Sequence, residues 1–180
     1  NSHANGAPPF GAYVDALLRD LEWELPRVWG RPVRSIFIGG GTPSLFPDEE
    51  IARMLSGIRA RLPLLAELEI TLEANPGSAD QRYFRGYREA GVNRLSIGVQ
   101  SFNDSHLQAL GRIHHGEAAS AAVEMAKKVG FEQINLDLMF ALPAQTVEMA
   151  LSDLQQATAL GVKHLSWYQL TIEPNTYFHK

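Results

Sequence analysis

Short segments rich in apolar and β-branched residues alternate along the chain with longer segments in which apolar residues recur every three or four positions. The short segments predict β-strands over 33–38, 68–73, 94–99, 133–139 and 164–171. The longer segments predict helices over 10–26, 47–62, 79–90, 103–110, 117–129 and 147–160. Each strand is separated from the next by helix, which indicates parallel βαβ units with right-handed crossovers.

Two α/β architectures are built from such units, a β/α barrel and an open doubly wound sheet. The chain opens on a helix, so we expect a first strand to be missing upstream. The isolated residues would then have an exposed sheet edge and an apolar interior face without cover, and we expect low solubility or edge pairing. Both architectures place ligands at the carboxyl ends of the strands.

The composition is that of an ordinary globular domain. The chain has 180 residues, 45% hydrophobic and 20% charged, which predicts one domain over 1–180. It shows neither an apolar run long enough for a membrane span nor the pattern of a signal peptide, so we expect a cytoplasmic protein. The net charge is −4 and the basic residues are scattered, which gives no indication of a nucleic-acid partner.

The chain contains no cysteine, which excludes disulfides, thiolate zinc sites and catalytic thiols within it. It also cannot supply the thiolates that normally hold iron–sulfur clusters. His114 and His115 are adjacent and would point in different directions on a helix, so we expect loop histidines and no metal site.

The first predicted strand runs into Gly39, Gly40 and Gly41, followed by Thr42. Consecutive glycines allow a ligand to approach the backbone closely, although they are equally typical of a tight turn between strand and helix. The run matches neither the P-loop pattern GxxxxGK[ST] nor the dinucleotide pattern GxGxxG. It therefore predicts a backbone-lined site of another kind.

Polar side chains lie in or directly after the next three predicted strands. Glu73 is either a solvated acid or an acceptor for an ammonium or hydroxyl group, and Gln100 follows a glycine at a strand tip. Asp137 lies within a buried strand and needs a protein partner or a ligand. Arg112, between two helices, is either a surface cation or a bidentate partner for a carboxylate. Together they predict a cup lined with polar groups, while Asn103 is expected to cap a helix.

Six motifs in order along the chain resemble one family. They are FIGGGTPSL at 37–45, LEANP at 72–76, LSIGVQSF at 95–102, LGR at 110–112, NLDLM at 135–139 with the Leu142-Pro143 pair, and LTIEP at 170–174. They look like the coproporphyrinogen III oxidase-like radical S-adenosylmethionine (SAM) proteins of the HemN/HemW type. LEANP and YQLTIEP resemble the HemW branch, regarded as haem chaperones, more than the HemN oxidases. The sequence departs from the family at Ala141, where glycine is usual.

The resemblance implies an α/β fold, a partial (β/α)6 TIM-like radical SAM barrel, here without its first strand, its CxxxCxxC cluster loop and its C-terminal domain. It implies SAM and a [4Fe-4S] cluster as cofactors, with haem possible only in the full-length protein. Gly40, Gly41 and Thr42 would receive the methionine part of SAM, and Glu73 a polar group of it. Gln100 and Asp137 would bind the ribose and nearby groups, Arg112 the carboxylate, and Thr171 would flank the nucleoside.

Three functions stay open at this point. The first is the SAM-binding core of a haem chaperone-like protein, with haem and an electron donor as partners and haem delivery to membrane proteins as a possible task. The second is an oxygen-independent coproporphyrinogen III oxidase, which would act on a porphyrinogen. The third is a cofactor-free α/β domain that binds another small molecule in the same cup. Whether the protein is an enzyme depends on which of these holds.

Overall fold

The computed structural model describes residues 8–77, 81–175 and 177–179. The strands are β1 (Val33–Ile38), β2 (Leu64–Ala74), β3 (Arg94–Gln100), β4 (Gln133–Phe140) and β5 (His164–Gln169). The α-helices among the described residues are α1 (Phe10–Val28), α2 (Asp48–Arg59), α3 (Phe84–Ala90), α4 (Asp104–Ala109), α5 (Gly116–Lys128) and α6 (Val147–Ala159). Two short 3-10 turns lie at Pro43–Leu45 and Tyr177–His179.

The described strands form one parallel sheet in the order β1-β2-β3-β4-β5, so that each strand pairs with the next one along the chain. In a doubly wound sheet this order reverses at a switch point, whereas in a barrel it runs on in one direction. The observed order is that of a half-barrel. The predicted α/β class and the barrel alternative are confirmed.

The two faces of the sheet differ in chemistry. Side chains alternate between the faces along each strand, and one set packs under the helices as the hydrophobic core. Its strand residues include Ile70, Leu72, Leu95, Ile97, Val99, Ile134, Leu136 and Leu138. The opposite face carries Thr71, Ser96, Asn135 and Ser166, of which the first three are at most 7% exposed. The same face also carries Phe37, which pairs with Thr71 and is 62% exposed. The expected apolar interior face is therefore corrected to a mainly polar one, because period-two alternation places polar residues on this face of β2 to β5.

Several element bounds differ from the predicted ones. The helix predicted over 79–90 is interrupted: Gln81 is helical, residues 82 and 83 form a turn, and α3 follows from Phe84 to Ala90, while residues 79 and 80 lie outside the described residues. Strand β2 starts four residues earlier than expected, because it extends beside β1 as far as the Val33–Leu64 pair. Helix α1 contains Pro26 within its last turn instead of ending there.

Two observations concern the outside of the molecule. Strands β1 and β5 form the edges of the sheet that the structure describes. No helix in the described ranges combines the length and the apolar character that crossing a membrane requires.

Candidate functional site

A cleft of about 200 Å³ opens at the carboxyl ends of the strands. Its wall brings together seven of the eight residues predicted to bind a cofactor: Gly40, Gly41, Thr42, Glu73, Gln100, Arg112 and Asp137. The eighth, Thr171, follows β5 as an exposed residue and does not line this cleft, so its role stays a prediction. Parallel strands whose carboxyl ends share one edge thus collect residues that are distant in sequence.

The glycine turn after β1 and the acid at the end of β2 are coupled. The Gly40 backbone N–H donates to Glu73 Oε2 over 3.1 Å. Gly39 permits this approach, since a Cβ there would lie 3.0 Å from the same oxygen. Gly40 has a φ of +118°, which side chains rarely adopt. The glycine run is therefore a turn built around a carboxylate that still faces the cleft.

The tip of β3 is bent. Gln100 has a φ of +69°, and its pairing with β4 shifts register between Gly98 and Gln100. The Gln100 side chain is 4% exposed and crosses Gly98, where a Cβ would lie 3.0 Å from its Nε2 atom. Tyr168 on β5 donates its hydroxyl hydrogen to Gln100 Oε1 over 2.8 Å. The bulge therefore turns the amide of Gln100 across the cleft toward β5.

A buried polar network holds the chain just beyond Gln100. Ser101 donates to Asp153 Oδ2 over 2.7 Å, and Phe102 N–H donates to Asp153 Oδ1 over 2.8 Å. Ser101 Oγ accepts from Asn103 N–H at 3.0 Å and lies 3.4 Å from His106 Nδ1. The Ser101 hydroxyl donates its one hydrogen to Asp153, so it can only accept from His106. This assigns a proton to Nδ1 of His106.

This network is not a hydrolytic triad, although it contains a serine, a histidine and an aspartate. In a triad the histidine stands between the other two, whereas Asp153 here contacts Ser101 directly. The three side chains are 0% to 3% exposed, so no substrate reaches them. Their effect is to fix the backbone that leaves Gln100.

Asp137 is oriented by neighbours on the polar face. Ser96 donates to its Oδ2 over 2.9 Å, and Asn135 Nδ2 lies 2.8 Å from its Oδ1. Asn135 also lies within 2.9 Å of Ser96 Oγ and of Ser166 Oγ. The partner of this acid is therefore a chain of hydroxyl and amide groups spanning β3, β4 and β5, and not the arginine or backbone N–H that buried acids often have.

Arg112 projects from the loop between α4 and α5. Its backbone N–H donates to Leu107 O over 2.9 Å, and the preceding Gly111 has a φ of +68°. His114 Nε2 lies 3.2 Å from Val99 O and ties the same loop to β3. Burial lowers the pKa of His114, and the nearby Arg112 lowers it further against the raising effect of Val99 O. A neutral His114 thus anchors the loop that carries an exposed guanidinium.

Charges around the cleft affect Tyr168. Partial burial raises the pKa of its phenol, and the Asp137 carboxylate raises it further, against the lowering effects of Gln100 and Arg112. Tyr168 therefore keeps its proton at neutral pH and remains a donor. The cleft as a whole presents two carboxylates, one guanidinium, amide and hydroxyl groups, and free backbone.

Sequence reasoning missed several lining residues, namely Pro43, Ser44, Ala74, Asn75, Ser96, Gly98 and Tyr168. Ser96 and Tyr168 could have been found from the sequence, because both lie at positions of their strands that alternate with apolar residues. Asn103 caps α4 as predicted, accepting from Ser105 N–H over 2.9 Å. The partners of Asp137 and Gln100 could not be found in this way, because they depend on register between strands.

Comparison with known proteins identifies the family. The model of the "Radical SAM superfamily" matches residues 6–157, which is most of the chain. The chain belongs to the radical SAM superfamily. The match includes β1 to β4 and most of α6, and seven of the eight predicted cofactor residues lie within it. Thr171 lies beyond its end.

Among curated radical SAM proteins, the chain is similar to "Heme chaperone HemW" of Escherichia coli (strain K12), with 54% identity over 99% of this chain and 47% of that protein. It is 36% identical to "Heme chaperone HemW" of Bacillus subtilis (strain 168), again over 99% of this chain and 48% of that protein. The chain spans about half the length of these relatives.

Solved radical SAM structures share the fold. Coproporphyrinogen III oxidase (HemN) from Escherichia coli superposes with a TM-score of 0.83 at 31% identity, covering 92% of this chain and 38% of that one. The archaeal Elp3 of Methanocaldococcus infernus gives a TM-score of 0.70 at 19% identity, over 92% of this chain and 44% of that one, which shows the fold alone. The half-barrel reading is thereby confirmed, as is the greater similarity to HemW than to HemN.

The family implies SAM and a [4Fe-4S] cluster, and the two fit this chain differently. The chain has no cysteine to bind a cluster, and the described residues contain no group of acids and histidines that could hold a metal. SAM fits better: the Gln100 amide nitrogen, on a side chain 4% exposed, has no hydrogen-bond partner among the described residues and faces a cleft that also offers a cation and two carboxylates.

Proposed function

We propose that this chain is the SAM-binding radical SAM core, residues 1–180, of a HemW-type protein that acts in haem metabolism as a haem chaperone. The observation that carries the proposal is the single cleft joining the glycine turn, Glu73, Gln100, Arg112 and Asp137. SAM has a carboxylate, an ammonium group and a ribose diol, and the cleft offers a counterpart to each.

The parts of SAM are assigned by chemistry. The exposed guanidinium of Arg112 pairs with the methionine carboxylate, because a planar fork binds a carboxylate through two hydrogen bonds. Gly40, Gly41 and Thr42 receive the methionine chain, and Glu73 accepts from a polar group there. Asp137 and Gln100 bind the ribose and its surroundings, and Thr171 flanks the nucleoside.

Bound SAM supplies, in radical SAM proteins, a 5′-deoxyadenosyl group, and the protein supplies its orientation. The residues that orient SAM are held in place before it binds: the Asp137 carboxylate is hydrogen-bonded to Ser96 and Asn135. Because these contacts are already made, little ordering is left to oppose binding. No step is assigned to the cluster, since its ligands are not among these residues.

The haem assignment rests on relatedness. Identity with the Escherichia coli heme chaperone is 54%, whereas identity with the HemN oxidase is 31%. Haem and an electron donor are therefore the proposed partners of the native protein. The oxidase remains the second candidate because HemN superposes over 92% of the chain.

The test uses the native protein that contains these residues, with its cluster reconstituted under anaerobic conditions. It is titrated separately with SAM and with haem, and then incubated with a porphyrinogen, SAM and a reductant. Binding of both ligands and transfer of haem to an apo-haemoprotein, without decarboxylation, is the expected result. Decarboxylation of the porphyrinogen would assign the oxidase instead, and failure to bind SAM would overturn both.

A further inference from the structure

The amide of Gln100 is held from one side only. Its oxygen accepts the Tyr168 hydroxyl hydrogen over 2.8 Å, and its nitrogen has no hydrogen-bond partner within the described ranges. The side chain is 4% exposed, and both residues line the cleft. Within the described residues the buried side-chain nitrogen without a partner is Gln145 Nε2, so the Gln100 nitrogen is open to the cleft, where an acceptor on a ligand can replace water.

The orientation of that amide is not intrinsic. An amide can rotate by half a turn and exchange its oxygen for its nitrogen at little cost unless a neighbour distinguishes them. A phenol hydroxyl does not make this distinction, because it can donate to the amide oxygen or accept from the amide nitrogen. Either hydrogen bond holds one end of the Gln100 amide at Tyr168 and leaves the other end facing the cleft. Burial and Asp137 raise the pKa of Tyr168, which keeps the phenol a donor across the neutral range.

We propose that Tyr168 is a positioning residue for the cofactor: its hydrogen bond to the Gln100 amide holds that side chain across the cleft, with the other end of the amide turned toward the ligand. This inference rests on the proposed binding of SAM. The side chain of Tyr168 is 42% exposed, so its contribution to the stability of the fold is small beside its effect on Gln100.

The test is a double-mutant cycle in the native, cluster-loaded protein, with SAM affinity measured by calorimetry without a reductant, so that no turnover occurs. Tyr168→Phe removes only the hydroxyl, and we expect about a fivefold loss of affinity, which corresponds to one net hydrogen bond. Gln100→Gly removes the amide and tolerates the φ of +69° at that position. In the Gln100→Gly background, Tyr168→Phe should change the affinity by less than about 1.5-fold, because a residue that acts through another has no effect once that other is gone.

Tyr13→Phe is the matched control, since Tyr13 is 56% exposed on α1 and does not line the cleft. It should change neither affinity nor melting temperature. Tyr168→Phe should likewise leave the melting temperature within about 2 °C of the parent. If Gln100→Gly does not fold, Gln100→Asn replaces it, since asparagine tolerates positive φ and its shorter amide does not reach Tyr168.

Equal losses from Tyr168→Phe in both backgrounds would overturn the inference and leave SAM binding intact, since Tyr168 would then act on the ligand or the fold directly. A parent protein that binds no SAM would overturn the proposed function together with the inference. A parent that binds SAM, with coupling between the two substitutions, supports both.

Discussion

The buried carboxylate of Asp153 supports the bent tip of β3, and removing it should destabilise the fold. Asp153→Ala deletes the acceptor of two donors, the buried Ser101 hydroxyl at 2.7 Å and the partly buried Phe102 N–H at 2.8 Å. Each lost hydrogen bond to such a group costs roughly 1.5–3 kcal/mol, because the donor is left unsatisfied away from water. We expect the free energy of unfolding to fall by about 3–5 kcal/mol.

Graded variants separate this cause from a packing defect. Asp153→Asn keeps the shape of the side chain and one acceptor oxygen, so it should cost about half as much. Gln155→Ala, an exposed position on the same helix, should stay within about 0.5 kcal/mol of the parent. Urea unfolding of the native protein, followed by circular dichroism, gives these values when the slope against urea is unchanged.

Affinity for SAM should follow stability in this series. Asp153 holds Ser101 and Phe102, which directly follow Gln100 in the chain. The φ of +69° at Gln100 needs support from its surroundings. Loosening that support should weaken SAM binding even below the unfolding transition. If Asp153→Ala costs less than about 1 kcal/mol, or if Asp153→Asn costs as much as Asp153→Ala, the hydrogen-bond account of this network is refuted.

Three further outcomes follow from the site. Arg112→Ala should lower SAM affinity by about thirtyfold, the value of a charge-assisted pair, while Arg31→Ala, at an exposed turn, should not; equal effects would make Arg112 an ordinary surface cation. Burial is the main cause that lowers the pKa of His114 from 6.5, so its neutral form stabilises the fold above pH 6.5. That stability is lost as the pH falls through the lower pKa of the folded protein, and an NMR titration midpoint at or above 6.5 would contradict this. Ala141 has a φ of +57°, so Ala141→Gly should stabilise the protein by about 1 kcal/mol in thermal unfolding, and destabilisation would show that the strain is absent.

Much of the fold could be predicted because its signals are local. Periodicity in 33–38 or 147–160 needs only neighbouring residues to be interpreted, and strict alternation of helix and strand then leaves few topologies. The cup was predictable for a different reason: Glu73, Gln100 and Asp137 each stand at the end of a parallel strand, and such ends share one edge.

The remaining features depend on contacts that no local pattern encodes. The Tyr168–Gln100 hydrogen bond joins residues 68 positions apart, and the Ser101–Asp153 bond joins residues 52 apart. Each requires the register of β3 against β4 and the height of α6 above the sheet, which are set by packing. The bulge at Gln100 could not be foreseen either, since positive φ is uncommon for glutamine.

The alternating strands explain how one small half-barrel supports both a core and a polar site. Leu95, Ile97 and Leu136 point under the helices, while Ser96 and Asn135, one residue along, point the other way. Buried polar groups destabilise a fold unless they bind one another, and here Asn135 binds Ser96, Ser166 and Asp137. The network that satisfies the buried face is therefore also the one that orients Asp137 toward the cleft. Because the same contacts satisfy the buried polar groups and orient Asp137, orienting this acid adds little free-energy cost beyond that of the fold itself. Gln100, in contrast, needs a bulge, an anchor at Asp153 and a partner at Tyr168, none of which the polar face supplies.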